Sequence, residues 1–404
     1  MGIYIIDGKR TAIGKFLGSF YEKDASDICV QTIKGLFLNS KTCAEDIDIS
    51  IFGNVISAGL GQGVARKLAI NSGVPVEKPA YLVNMVCGSG MQAIANSFNE
   101  LKLGKKLVLT GGFEFMSNIP YATDTYLRLG KKFGDFKMVD LMTKDGLYDS
   151  FSGVHMGVTA ENIAKEFNIS REEQDSFAFL THQRALSSVR NGDFKEEIIP
   201  IHLKDYKGRE FIFDTDEFPN PDSVPEKLAS LKPSFIKDGT GTVTAGNTSG
   251  INDGAAFLLL ANDDYCKDNK IEPQVELVDC VSVGCNPQMM GLGPYYAIKE
   301  LLKKNNINFS DIDLFEINEA FAAQVLGVFK LLEKEYGVSE KYITDRTNLK
   351  GSGLGLGHPL GCSGARIVVS LYHEMLEKDC KYGVASLCVG GGMGIATLLK
   401  KVGK

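Results

Sequence analysis

The sequence predicts a layered α/β fold with mixed sheets, because strand-like and helix-like runs alternate along its 404 residues. Glycine clusters lie where several of these runs meet, and glycine there lets the backbone turn sharply or approach another segment closely. Several ordered sequence features also occur twice, once near each end of the chain. These observations together predict a fold built from two related halves.

The individual elements follow from the hydrophobic pattern. The N-terminus predicts a strand over residues 3–6, and further strand-like apolar runs lie at 107–112, 197–203, 255–261 and 383–392. Helix-like runs lie at 160–168, 174–192, 297–306 and 365–378. The second of these helices is expected to stop at its terminal Asn-Gly pair.

An internal repeat orders these elements. Residues 46–54 (DIDISIFGN) resemble residues 311–319 (DIDLFEINE), an Asp-Ile-Asp turn that leads into a strand. A helix start rich in cysteine and glycine follows at 86–94 and again at 361–369, and then a strand runs into glycines. We expect these two helix starts to lie near a common axis, with the active site there. The predicted parts are a first half of residues 1–120 with 251–273, a polar, loop-rich insertion of residues 121–250 and a second half of residues 274–404.

Composition excludes several classes of function. The net charge is −6 without any Lys/Arg block, which argues against a nucleic-acid partner or an anionic membrane surface. No apolar run approaches the ~20 residues of a membrane span, and the N-terminus has no secretory pattern. The nine cysteines include no CxxC pair, so neither a metal site nor a disulfide framework is expected. Reduced thiols in the cytoplasm fit this pattern best.

Cys87 is the first candidate for chemistry. An apolar strand-like run, 81–86, ends at this cysteine, and Gly88-Ser89-Gly90 opens a run with helical periodicity. The free N–H groups and the dipole at a helix N-terminus favour a thiolate and are expected to lower the pKa of Cys87. A buried structural cysteine is the equally weighted alternative, although the neighbouring glycines leave space beside the sulfur.

His358 and Cys388 are the candidate partners of that thiol. His358 lies between Gly357 and Pro359. It is interpreted either as the imidazole that activates the thiol or as an ordinary histidine of a surface loop. Cys388 ends an apolar strand, where a second thiol suits acid–base chemistry and also simple packing. Backbone N–H groups at Gly390 and its neighbours are candidates to bind an oxyanion.

Three further segments give weaker signals. Asn318 and Glu319 begin a helix-like run, where a helix cap is slightly favoured over the orientation of a water or a histidine. His155 and Met156 precede a helix start and suit either an amphipathic ligand arm or loop packing. Ser249 lies on a polar turn, a composition that ligand-binding loops share with ordinary Ser- and Asx-turns.

Taken together, these segments resemble the thiolase family across nearly the whole chain. The opening RTAIGKF, the nucleophile segment NMVCGSGMQAI and GGFEFMSNIPY are followed in order by AGNTSGINDGAA, NEAFAAQ, GHPLGCSGARIV and CVGGGMGIA. Ordered blocks of this length make the resemblance specific. It implies a thiolase fold, in which two βαβαβαββ halves pack as five layers, α-β-α-β-α, with a loop domain inserted in the first half.

The resemblance also implies Claisen chemistry on coenzyme A thioesters. Cys87, activated by His358, would be acetylated, and Cys388 would remove a proton from the methyl group of a second acetyl-CoA. The carbanion would attack the acetyl-cysteine and give acetoacetyl-CoA, and the reverse direction would be thiolysis. His358 with a water held by Asn318 would form one oxyanion hole, and the N–H groups of Cys87 and Gly390 the other.

Substrate recognition is implied in the same way. The segment VHMGVTAEN is similar to that of short-chain, biosynthetic members, which form acetoacetyl-CoA. The coenzyme A tunnel is expected to be lined by Leu147, His155, Met156, Phe235, Ala245, Ser249 and Phe321, with Met290 at the acyl end. The implied partners are acetyl-CoA, acetoacetyl-CoA and CoA, in a homotetramer without cofactor or metal. The loop 216–226 lacks the basic residue that relatives often carry, which leaves the nucleotide contacts open.

Several alternatives remain at this point. A β-ketoacyl synthase of the same fold would use one cysteine with two histidines, whereas a second cysteine stands in the late block here. A degradative 3-ketoacyl-CoA thiolase would perform the same chemistry on longer chains. A non-catalytic lipid carrier would not need Cys87, His358 and Cys388, and a cysteine hydrolase would not need Cys388.

Overall fold

The computed structural model describes residues 1–40 and 42–403, over which strands and helices alternate as predicted. The strands are Ile3–Arg10 (β1), Gly14–Lys15 (β2), Ile49–Gly53 (β3), Ala80–Val83 (β4), Leu107–Phe115 (β5), Tyr121–Thr123 (β6), Met138–Asp140 (β7), Ile201–Lys204 (β8), Glu210–Phe213 (β9), Asn252–Asn262 (β10), Val275–Gly284 (β11), Leu314–Ile317 (β12), Tyr382–Val389 (β13) and Met393–Lys401 (β14). The helices are Ala25–Ser40 (α1), Val64–Asn71 (α2), Ser89–Lys102 (α3), Met156–Glu166 (α4), Arg171–Asn191 (α5), Pro225–Ser230 (α6), Asp263–Asp268 (α7), Gly293–Asn305 (α8), Ala322–Tyr336 (α9), Glu340–Thr344 (α10), Gly353–Leu356 (α11) and Leu360–Lys378 (α12).

The internal repeat is a repeat of strand topology. In the first half β4, β3, β5, β10 and β1 lie side by side; β3 is parallel to β4 and β5, and β10 is antiparallel to β5 and β1. The second half copies this order, since Phe315 of β12 forms a parallel bridge with Thr347, β12 is parallel to β13, and β14 lies antiparallel between β13 and β11. The halves join edge to edge through two residue pairs, Tyr4–Glu276 and Ile5–Val275.

Strand β10 shows why the sheets are covered on both faces. Successive strand side chains point to opposite faces, so Leu258 and Leu260 enter one core cluster while Phe257 and Leu259 enter another. A strand that is apolar on both faces must be covered on both. In the first half, α1 and α2 cover one face, and α3 and α12 cover the other.

Helices α3 and α12 form a central layer that contacts strands of both halves. They cross at glycines near their N-terminal ends. A Cβ added to Gly90 would lie 2.8 Å from the backbone nitrogen of Ala365, and one added to Gly364 would lie 2.6 Å from that of Met91. Glycine therefore permits the close crossing. As a result, the segments that precede both helices, with Cys87 and His358, lie at the same end of the layer.

Helix α8 covers the outer face of the second half. The order of layers is thus α1 and α2, first-half strands, α3 and α12, second-half strands, and α8, which confirms the predicted five-layered fold. Within the described residues, no helix combines the length and apolarity that crossing a membrane requires.

Residues 121–250 connect the adjacent strands β5 and β10 and contain α4, α5, α6 and two small hairpins. Helix α5 ends before Gly192 at φ +77°, as the sequence predicts, but it begins three residues earlier than the predicted 174, at a capping box of Ser170 and Glu173. The strand predicted over 197–203 is wrong in its first part, because β8 begins only at Ile201. Pro200 has no N–H to continue the pairing that this segment makes with the end of β1.

Candidate active site

A cavity of about 350 Å³ collects side chains from both halves and from the middle segment. Cys87 and His358, which precede the two central helices, line it together with Cys388 at the end of β13 and the following Gly390. The other predicted residues on its wall are Leu147, His155, Met156, Phe235, Ala245, Ser249, Met290 and Phe321. Asn318 lies behind His358 rather than on the wall.

Cys87 lies on a sharp turn between β4 and α3. Strand β4 ends at Val83, three residues earlier than predicted, and Val86 adopts φ +45°, a left-handed conformation that β-branched residues rarely take. The Ser89 hydroxyl holds this turn by accepting the N–H of Met85 at 2.9 Å and donating to the carbonyl of Val86 at 2.6 Å. The turn directs the cysteine into the cavity.

The resting Cys87 is a thiol rather than a thiolate. Burial raises the pKa of Cys87 to about 11, although hydrogen bonds from the backbone N–H groups of Gly390 and of Cys87 itself lower it. The prediction that the helix N-terminus lowers this pKa is therefore wrong, because loss of hydration outweighs the helix end. Cys87 thus needs a base when it reacts.

His358 is a neutral base with a defined tautomer. Burial, and then the charge of Arg366, lower the pKa of His358 to about 3. Its Nδ1 lies 2.5 Å from the Ser363 hydroxyl, which is 2.8 Å from the carbonyl oxygen of Pro359. A carbonyl only accepts, so the hydroxyl donates to Pro359 and accepts from Nδ1–H. This chain leaves Nε2 unprotonated and able to accept a proton.

Asn318 and Glu319 do not cap helix α9. Its N-cap residue is Phe321, and no side chain bonds there as a cap. The slightly favoured cap hypothesis is therefore wrong. The Asn318 amide nitrogen lies 3.5 Å from both ring nitrogens of His358, and its Oδ1 is buried without a hydrogen-bond partner among the described residues. The Glu319 carboxylate turns away and accepts from Thr181 and Asn348.

The second thiol, Cys388, is fully buried, and burial together with the neighbouring Cys87 raises its pKa. Gly390 follows it closely on the cavity wall. A Cβ at this position would lie 3.2 Å from Val86 Cγ1 and 3.8 Å from Met156 Sδ. A side chain here would therefore crowd Val86, and the backbone N–H of Gly390 donates to Cys87.

Aromatic side chains line the approach to the two thiols. His155 is the N-cap of α4, and its Nδ1 accepts the N–H of Gly157 at 3.0 Å, so the proton lies on Nε2. Its ring stacks on Phe235 at 4.6 Å, and Phe235 meets Phe321 edge-on at 6.2 Å. The N–H of Ser249 donates to the carbonyl of Ala320 at 3.0 Å, which ties these two loops together.

A larger cleft of about 830 Å³ adjoins the cavity and shares Phe218, Ala245, Thr248 and Ile251 with it. Lys15 and Lys227 line this cleft, together with His182, which the sequence analysis missed. His182 is buried with an unpartnered Nδ1 among the described residues, and burial lowers its pKa to about 4. Its position inside a long amphipathic helix-like run gave no signal of a site.

Comparison with known proteins agrees with the fold. The family model for the thiolase N-terminal domain matches residues 3–264, and that for the C-terminal domain matches residues 271–401. The chain is 41% identical over 401 residues to the acetyl-CoA acetyltransferase of Thiocystis violacea, covering 99% of both chains.

Two solved structures extend this likeness. One is the Acat5 thiolase of Ascaris suum in complex with coenzyme A (34% identity, TM-score 0.90, all of both chains). The other is human mitochondrial 3-ketoacyl-CoA thiolase (37% identity, TM-score 0.92, 100% of this chain and 99% of that one). The two family models and the acetyltransferase relative define an enzyme that transfers acyl groups. The chain belongs to the thiolase family and is an acyltransferase.

Proposed function

We propose that this enzyme is a biosynthetic acetyl-CoA acetyltransferase, which condenses two acetyl-CoA to acetoacetyl-CoA and CoA through an acetyl-cysteine. The observation that carries the proposal is the convergence of two thiols and a neutral imidazole, Cys87, Cys388 and His358, on one cavity. A single thiol with a histidine would suffice for hydrolysis. Deprotonation of a carbon acid requires a further base, a role that the second thiol suits.

In the first half-reaction the Cys87 proton passes to His358 Nε2 while the sulfur attacks the thioester carbonyl of acetyl-CoA. The N–H groups of Cys87 and Gly390 stabilise the oxyanion of the tetrahedral intermediate. The carbon–sulfur bond to coenzyme A breaks, and the departing thiolate takes the proton of Cys388. The products are acetyl-Cys87, free CoA, an imidazolium at His358 and a thiolate at Cys388.

In the second half-reaction the Cys388 thiolate removes a methyl proton from a new acetyl-CoA. His358 and a water held by Asn318 stabilise the enolate, which attacks acetyl-Cys87 and forms the new carbon–carbon bond. Cys87 leaves as a thiolate and recovers its proton from His358. Both thiols and the neutral imidazole are restored. The proposed cycle therefore needs no metal or cofactor. We also propose that the enzyme acts in the cytoplasm.

The walls of the cavity support recognition of coenzyme A and a short acyl group. The aromatic passage at His155, Phe235 and Phe321 suits the amphipathic pantetheine arm. In the adjoining cleft Lys15 pairs with Glu217 and Lys227 with Asp222, and coenzyme A phosphates would compete with these carboxylates for the two lysines. The cavity holds about 350 Å³, and buried Met290 and Cys388 lie on its wall. Space for a long acyl chain is therefore small. The second candidate is a degradative thiolase, which the likeness to the human 3-ketoacyl-CoA thiolase favours.

Chain length separates these two candidates. We expect kcat/KM for thiolysis of acetoacetyl-CoA to exceed that of 3-ketooctanoyl-CoA by at least about tenfold, because extra methylenes overpack the cavity. Steady-state thiolysis with both substrates measures this ratio. Met290→Ala enlarges the cavity and is expected to lower this ratio of kcat/KM values. A wild-type preference for the longer substrate would replace the biosynthetic proposal with the degradative one.

We also propose that the enzyme is a homotetramer built as a dimer of dimers. Strand β4 ends the sheet order with an uncharged Ala-Tyr-Leu-Val edge, which suits antiparallel pairing with a second copy. The β6–β7 hairpin carries a second exposed apolar surface, including Tyr121 and Met138, and exposed Phe133 lies between its strands. Two distinct self-complementary surfaces are what a dimer of dimers requires.

Light scattering after size-exclusion chromatography tests the assembly. We expect a mass of four 43.9 kDa chains for the wild type. The double variant Phe133→Asp, Met138→Asp should give dimers, because it charges only the hairpin surface. Glu210→Ala, a matched exposed change on the separate β8–β9 hairpin, should stay tetrameric. A monomeric wild type, or a double variant that remains tetrameric, contradicts the proposed assembly.

A further inference from the structure

Glu114, at the end of β5, is a buried carboxylate that the proposed mechanism does not use. It is 1% exposed. Oε1 accepts the Asn54 side-chain amide at 3.0 Å and the N–H of Ile56 at 3.2 Å. Oε2 accepts the N–H of Val55 at 2.9 Å and that of Gly361 at 3.0 Å. One side chain thus joins three segments that are distant in sequence.

Every group that meets Glu114 is a donor. Each carboxylate oxygen accepts two N–H groups, and an ionised carboxylate is the side chain that offers acceptors alone. Protonation, or replacement by an amide, would point a donor at donors. Burial raises the pKa of Glu114 to about 7, while the four hydrogen bonds favour the ionised form. The four donors thus stabilise the carboxylate against the effect of burial.

The three joined segments lie behind the cavity wall, to which their neighbours Met116 and Leu360 contribute. Gly361 stands three residues after His358, in the first turn of α12, where the backbone N–H groups are free to bind an anion. The segment that follows β3 supplies Val55 and Ile56. These two residues and Leu360 and Met116 form a small apolar cluster against which Cys87 packs. Movement at Glu114 would therefore reach the nucleophile and its base together.

We propose that Glu114 is a positioning residue, which fixes the His358 loop relative to Cys87 through the start of α12 and this apolar cluster. It touches neither substrate nor the reacting atoms. The inference rests on the proposed function, because it assigns Glu114 a part in proton transfer between the two side chains. Its role is geometric: the hydrogen bonds to Gly361, Val55 and Ile56 hold the proton acceptor within reach of the thiol.

Glu114→Gln tests this role, since it keeps the size and removes the acceptor-only character. We expect kcat for acetoacetyl-CoA thiolysis, per site titrated with labelled acetyl-CoA, to fall by about 10²-fold, as for a 1 Å misplacement of catalytic groups. KM for CoA should stay within about threefold, because the tunnel does not contact residue 114. A crystal structure of the variant should show the His358 ring displaced relative to Cys87.

Glu374→Gln is the matched control. Glu374 is another buried carboxylate, on α12 but 16 residues beyond His358, and burial likewise raises its pKa to about 7. We expect this variant to lose thermal stability while kcat per titrated site stays within about twofold, so that stability loss alone cannot explain the effect at Glu114. If Glu114→Gln does not fold, Asn54→Ala, which removes one of the four donors, should lower kcat several-fold at unchanged KM.

The outcomes separate the two proposals. An active wild type whose Glu114→Gln variant keeps kcat within twofold, or loses no more than Glu374→Gln does, overturns the role of Glu114 alone. A wild type without thiolysis overturns the proposed function. In that event the crystal structure still decides whether Glu114 positions the loop, because an unmoved His358 in the Gln variant refutes it.

Discussion

Cys87→Ala is expected to abolish both thiolysis and condensation, with a loss of roughly 10⁴- to 10⁶-fold, as when the nucleophile of another covalent enzyme is removed. The reason is that no other thiol can replace it. Cys362, the equivalent residue of the second half, is fully buried inside the central layer. Cys388 reaches the cavity from the opposite half and lacks the turn that presents Cys87.

Two measurements check this expectation. Spectrophotometric assays follow acetoacetyl-CoA in both directions, and mass spectrometry follows acetyl transfer to the peptide that contains Cys87. Cys362→Ala is the matched control and should keep both activity and acetylation, because it removes the repeat-related thiol outside the cavity. Turnover by Cys87→Ala close to that of the wild type would refute the nucleophile assignment and the acetyl-cysteine with it.

The internal repeat was the most informative feature of the sequence for locating the site, because local sequence patterns are enough to detect it. Paired strand-turn-helix signals report which residues stand at element ends, and a pseudo-symmetric fold brings such ends together. The positions of Cys87, His358 and Cys388 around one cavity follow from this logic. The order of strands in the second half, with Thr347 replacing a full strand, also repeats that of the first.

Properties set by distant contacts were not predictable in this way. The pKa of Cys87 depends on how much water the surrounding chain excludes, and a local helix argument gave the wrong direction. The hydrogen bonds to Glu114 could not be predicted, because their donors lie in residues 54–56 and 361, which only the folded chain brings next to β5. His182 likewise gains its place in the cleft through tertiary packing of α5.

The tautomer of His358 is an intermediate case. Ser363 lies only five residues further along, yet its role depends on a hydroxyl that bonds the carbonyl of Pro359 within the first turn of α12. A serine near a Gly-His-Pro segment has many ordinary explanations in sequence. In the structure it decides which ring nitrogen can accept the Cys87 proton.

Cys388→Ala is expected to separate the two half-reactions. Acetylation of Cys87 should continue, because Cys87, His358 and the oxyanion donors remain and the coenzyme A thiolate is a good leaving group. Condensation should fall by roughly 10²- to 10⁴-fold, the usual contribution of a positioned base. The methyl group of a thioester is a far weaker acid than a thiol, and His358 is already protonated once Cys87 is acetylated.

Rapid-quench experiments with labelled acetyl-CoA measure the two steps separately. The expected result is acetyl-Cys87 that accumulates to about one per site, without acetoacetyl-CoA. Cys285→Ala is the matched control: Cys285 is close enough to contribute to the raised pKa of Cys388 but does not line the cavity, so its variant should condense normally. Normal condensation by Cys388→Ala would instead make His358 or a bound water the base. The second thiol, on which the choice of carbon–carbon chemistry over hydrolysis depends, would then have no assigned role.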